Sequence, residues 1–183
     1  MSNFLESTPQ GLYCIPRDFH IDPHSPVARA VVTHAHSDHA RWGCQQYLAA
    51  KPCEQLLRLR MSPDAEFRFL SHGKTLTVGG VKISFHPAGH ILGSAQIRLE
   101  YQGQVDLISG DYKLGTDPTC EAWQHVRCHW MISESTFGLP RVSSRPTRKR
   151  PVSSIDASRD DSAPHEHWHH RFRYCDEGQI HER

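Results

Sequence analysis

The feature that most constrains this chain is a cluster of metal-binding residue types, His34-Ala35-His36-Ser37-Asp38-His39, set directly behind the apolar, β-branched run 28–33. Neutral imidazole and carboxylate are standard ligands of Zn²⁺. Two histidines separated by one residue, on a turn that follows a strand, can aim at one ion. Asp38 and His39 then face a neighbouring position where a second ion can sit. Two such ions together can clamp both oxygens of an in-line displacement. Any fold this chain adopts must therefore end a strand at residue 33, expose the next six residues to a common point, and bring further donors to it.

Candidate donors occur downstream. His90 lies between glycines in Pro87-Ala88-Gly89-His90-Ile91-Leu92-Gly93-Ser94, and on its own reads equally as a ligand or a loop residue. Asp111 follows Ser109-Gly110, where an acidic residue after glycine is often only a turn former; as a ligand it could bridge two ions. Residues 76–85 read as a hairpin, two alternating runs joined by Gly79-Gly80, and 95–101 with 105–109 repeat that pattern around Gly103. Residues 56–61 suit a short helix, and 130–133 form a further apolar run ending at Glu134. His34, His90, Asp111 and Glu134 each follow a strand-like run, the arrangement by which a sheet holds reactive loops.

In this order and spacing, THAHSDHA, HPAGHILGSAQ, SGDYKL and ESTFGLP resemble the metallo-β-lactamase superfamily, and within it the β-CASP nuclease branch. GLYCIPRDFHIDP and DPTCEAWQHVRCHW extend the likeness, which covers roughly 11–140 and is nearest to the bacterial ligase-associated DNA exonucleases. The resemblance implies an α/β fold, the metallo-β-lactamase αβ/βα sandwich, incomplete here: a first sheet and part of a second within 1–140. It implies that His34, His36 and His90 hold one metal, that Asp38 and His39 hold another, and that Asp111 bridges. Asp22 then orients the metal loop through hydrogen bonds. Asp38 and Glu134 are the candidate catalytic carboxylates. The cofactors implied are two divalent ions, Zn²⁺ or Mn²⁺. The implied activity is metal-dependent phosphodiester cleavage at DNA ends, of a DNA-repair type and associated with a DNA ligase. An RNA-processing nuclease and a non-catalytic metal-binding fragment are the alternatives.

The likeness stops near Pro140, before the family's later histidines, so the second metal site is expected to be incomplete and activity low. Residues 141–183 are rich in charge and serine and show no apolar period. Such a segment buries too little to offset the entropy of ordering it, and it reads as a disordered, non-homologous tail, the mark of a truncated or frameshifted frame. The overall charge of +1 neither supports nor excludes a nucleic-acid partner. Six cysteines without a CxxC pair, no leader-like start and no apolar stretch of membrane-spanning length lead to the expectation of a cytoplasmic protein with reduced thiols.

Overall fold

The computed structural model describes residues 4–134, 169–174 and 180–182. Two β-sheets carry almost all of the regular structure. The first holds β1 (Leu5–Thr8), β2 (Gly11–Cys14), β3 (Phe19–Ile21), β4 (Arg29–Val32), β5 (Gln46–Ala50) and β6 (Glu66–Leu70), neighbours in chain order. Pairing is antiparallel from β1 to β3 and parallel from β3 to β6. The second holds β7 (Thr75–Val78), β8 (Val81–Pro87), β9 (Ala95–Tyr101), β10 (Gln104–Ile108), β11 (Trp130–Glu134), β12 (His169–Tyr174) and β13 (Ile180–Glu182). It is antiparallel except where β11 runs parallel to β10, with Ile108 opposite Ile132.

Alternation along the strands sends side chains to two cores. Leu12, Ile21 and Val31 face the second sheet and meet Ile83, Phe85, Ile97 and Leu99, all nearly or wholly buried. Ala30, Val32, Tyr47 and Ala49 point to the other face, as a two-residue period requires. There they pack under α1 (Glu54–Arg60), which contributes Leu57, fully buried. Removing one such side chain from water is worth about 1.5–3 kcal/mol. That accounts for a helix of only seven residues persisting without a side-chain N-cap. Glu54 also accepts from Arg58 Nε at 3.0 Å and from Lys51 on its exposed side.

Both hairpins form where the sequence places them. Val78 pairs with Val81 around Gly79-Gly80, and Tyr101 pairs with Gln104 around Gln102-Gly103. The expected run after residue 28 is β4, the expected helix is α1, and the run before Glu134 is β11.

The α/β expectation is not met. The αβ/βα sandwich requires helical layers outside the sheets, and among the described residues α1 is the single α-helix; the molecule is a stack of two β-sheets. The helical layers were implied by the family resemblance. The parallel strands are present, but β3 reaches β4, and β4 reaches β5, through loops. Two short strands fall within the segment 141–183. The backbone of β12 pairs antiparallel with β11, and β13 with β12. The rest of 141–183, and the boundary drawn at 140, lie outside the described residues. No helix among them is long and apolar enough to cross a membrane.

Candidate metal centre

Strand direction gathers the candidate ligands. β3 and β4 are parallel, so Asp22 and the 33–39 loop emerge at the same edge of the first sheet. β8 and β10 both run antiparallel to β9, so His90 and Asp111 emerge together from the second. Gly110 permits a close approach between the two. It sits at φ 54°, and a Cβ on it would lie 2.7 Å from Thr33 Cβ. Only glycine fits there, on backbone and on steric grounds.

His34, His36, His90 and Asp111 each direct one donor atom to a common point, all four within 4.8 Å of one another. His34 Nε2 lies 3.0 Å from His36 Nδ1, and His36 Nδ1 3.4 Å from His90 Nε2. Asp111 Oδ2 is 3.3 Å from His90 Nε2 and 3.7 Å from His34 Nε2. Donors placed about 2.0–2.1 Å from a tetrahedral zinc ion lie about 3.3 Å apart, so the spacing suits one ion. The other oxygen of Asp111 turns to a second group: Oδ1 is 3.5 Å from His39 Nε2, which is 3.8 Å from Asp38 Oδ2. One carboxylate thus joins two donor sets.

Hydrogen bonding behind the ligands orients the rings. Asp22 Oδ1 accepts from the Thr33 N–H at 2.8 Å, and Oδ2 from the Thr33 hydroxyl at 2.6 Å. Having given its proton to Asp22, the Thr33 oxygen can only accept, so His34 Nδ1 donates to it at 3.1 Å. The His34 Nε2 lone pair therefore faces Asp111. In the same way His39 Nδ1 donates to Asp22 Oδ2 at 2.8 Å, which turns the Nε2 lone pair toward two carboxylate oxygens. Acceptors facing acceptors at these distances suit a cation between them. Burial pushes His34 down to about 4, and the nearby His39 acts in the same direction. Burial also lowers His90, against the opposing pull of Asp111. Both rings are thereby favoured in the neutral, ligating form.

Of the residues singled out in the sequence, His34, His36, Asp38, His39, His90, Asp111 and the orienting Asp22 meet at this edge. Glu134 closes β11, next to the strand that precedes Asp111; its side chain lies outside the described residues. Sequence reasoning missed two hydroxyls. Thr33 fixes the His34 ring, and Ser94 Oγ accepts from the N–H groups of His90 and Ile91 at 3.0 and 3.1 Å, closing the His90 loop. The signal for both was their place at either end of the ligand motifs. A cavity of about 30 Å³ beside Asp22, Asp38 and His39 is also lined by Gly110 and Ser133, which brings the end of β11 to the same site.

No family model matches the chain. It is similar to a protein of Opitutus terrae named "Probable DNA ligase", 34% identical over 139 residues, covering 75% of this chain and 14% of that protein. It is also similar to Endoribonuclease ysh-1 of Neurospora crassa, 30% identical over 84 residues, with 44% of this chain and 10% of that protein covered. Endoribonuclease YSH1 of Saccharomyces cerevisiae is 30% identical over 88 residues, or 47% and 11%. The chain spans about a seventh or less of the length of these relatives.

Proposed function

We propose that this chain carries the metal centre of a phosphodiesterase that cleaves nucleic acid, of β-CASP nuclease lineage, acting on DNA ends. The observation that supports this most is the shared carboxylate. Asp111 presents one oxygen to His34, His36 and His90 and the other toward His39 and Asp38, the donor pattern of a paired-cation hydrolase. Similarity to proteins named as a DNA ligase and as endoribonucleases supports nucleic acid as the substrate class.

His34, His36, His90 and Asp111 would hold one divalent ion, Zn²⁺ or Mn²⁺, and His39, Asp38 and Asp111 a second. When bound, such ions supply positive charge against the phosphate oxygens and lower the pKa of nearby water. The chain's own residues do the rest. Asp22 and Thr33 lock the rings of His34 and His39. Asp38, about half exposed at the mouth, is placed to orient the attacking water and to take its proton. Glu134, which closes β11, is the second candidate catalytic carboxylate. Among the described residues the second donor set has three members to the first set's four, so turnover is expected to be low.

The test is metal content together with cleavage. The purified full chain, loaded with Mn²⁺ or Zn²⁺ and offered matched DNA and RNA strands, should trim DNA slowly, and His34→Ala should abolish both the tightly held metal and the cleavage. Faster cleavage of RNA, the chemistry named for the YSH1 relatives, would replace the DNA reading. Less than one equivalent of metal, with a nuclease background unaltered in His34→Ala, would leave only a non-catalytic fragment.

A further inference from the structure

Six large apolar side chains are well exposed among the described residues, and four of them cluster in a telling way. Trp42 (63% exposed) lies three residues after His39, Leu92 (49%) two after His90, Tyr112 (41%) one after Asp111 and Leu114 (70%) three after it. Scattered exposed hydrophobics are ordinary. These instead follow the candidate ligands in each of the three ligand loops. A chain of three residues spans at most about 11 Å, so each of the four starts within that distance of a ligand's backbone. Cations adjoin the apolar residues in two of these loops. Arg41 separates Ala40 from Trp42, and its half-buried side chain has an Nε without a hydrogen-bond partner among the described residues. Lys113 stands between Tyr112 and Leu114, exposed and paired at 3.1 Å with Asp117.

From this placement we infer that the rim around the donor cluster is a stacking platform for unpaired bases, and that the site takes single-stranded nucleic acid or frayed ends rather than closed duplex. The inference rests on the nuclease reading and names the form of its substrate. An aromatic face stacks on any base but is closed to a base held inside a helix, whereas Arg41 and Lys113 suit the phosphates on either side. Trp42 and Tyr112 stand on different loops, the first from the first sheet and the second from the other. A strand resting on both would run across the donor cluster, with a phosphate over it. Leu92 and Leu114 would shield the flanks of the stacked bases from water.

The test uses the metal-loaded full chain and phosphorothioate-linked strands, which resist cleavage, so that binding is read without turnover. Fluorescence anisotropy would compare a short labelled oligothymidylate, a blunt duplex of the same length, and an abasic strand carrying the same phosphates. The single strand should bind tightest. Trp42→Ala and Tyr112→Ala should each weaken it by about five- to a hundredfold, the range for one stacked base. Trp42→Phe should keep most of the affinity, and binding of the abasic strand should be weak and alike in every variant. Duplex bound as tightly as single strand, or alanine variants that bind like the parent, would overturn the inference. Cleavage measured separately with Mn²⁺ keeps the two readings apart. Base-dependent binding without cleavage defeats the nuclease reading, and cleavage without dependence on the aromatics defeats the platform.

Discussion

Asp22 accepts three hydrogen bonds, two from Thr33 and one from His39, while its own backbone sits at φ 43°. An acidic residue tolerates that left-handed conformation better than most. Its carboxylate sets the direction of two rings it need not touch a metal to control. Loss of such a supporting carboxylate typically costs ten- to a hundredfold in metal affinity. Asp22→Ala is therefore expected to lower zinc affinity by about that range, measured by competition with a chromophoric chelator; unaltered affinity would show that the loop is rigid without it. The donor types were legible in the sequence because imidazole and carboxylate at tight spacing have few other uses. Thr33 and Ser94 were not. A hydroxyl's role depends on which backbone groups a turn brings near it, and the place of these two at the ends of the ligand motifs is the only hint of it.

The elements that sequence patterning reached were those with short-range signals, the two glycine-turned hairpins above all. β6 carries such a signal too, since Phe67 and Phe69 alternate with Glu66 and Arg68, but it is short and lacks a paired run across a turn. β5 ends in two alanines, which fit a strand only because both are buried, against α1 and against the second sheet. The helical layers were implied by a resemblance carried on loop motifs, and such motifs do not specify what joins the strands. Between elements, one tight point is Gly110 against Thr33. Gly110→Ala is expected to destabilise the protein by about 1–3 kcal/mol, from overpacking and left-handed strain. It should lower the denaturation midpoint and widen the gap between the two halves of the donor cluster. An unchanged midpoint and unchanged metal affinity would contradict the packing described.

For the molecule as a whole, acid is the expected weak point. Burial lowers His86, which also contacts Gln124, and burial lowers His20. A histidine whose folded pKa is lowered is protonated first in the unfolded chain. The unfolded state then binds more protons, and stability rises with pH. The contribution is complete above the unfolded value of about 6.5 and is lost as pH falls through it toward the folded one. The melting temperature should drop on going from neutral pH to below that value, and less steeply in His86→Gln. A melting temperature that climbs on acidification would refute this. Low apolar content in 141–183 argues against a core of its own, and a strand such as β12 needs only a partner edge, which β11 supplies.

The donor cluster draws His34, His36, Asp38 and His39 from one sheet and His90 and Asp111 from the other, so it lies on the seam of the stack. A cation seated there would be a clasp as well as a cofactor. Occupancy and docking of the two layers then form one linked equilibrium, in which each tenfold excess of free ion over its dissociation constant adds about 1.4 kcal/mol to cohesion. Chelation should loosen the seam before it disturbs either sheet, and scarcity of metal would be felt as fragility of the fold, not only as silence of the site.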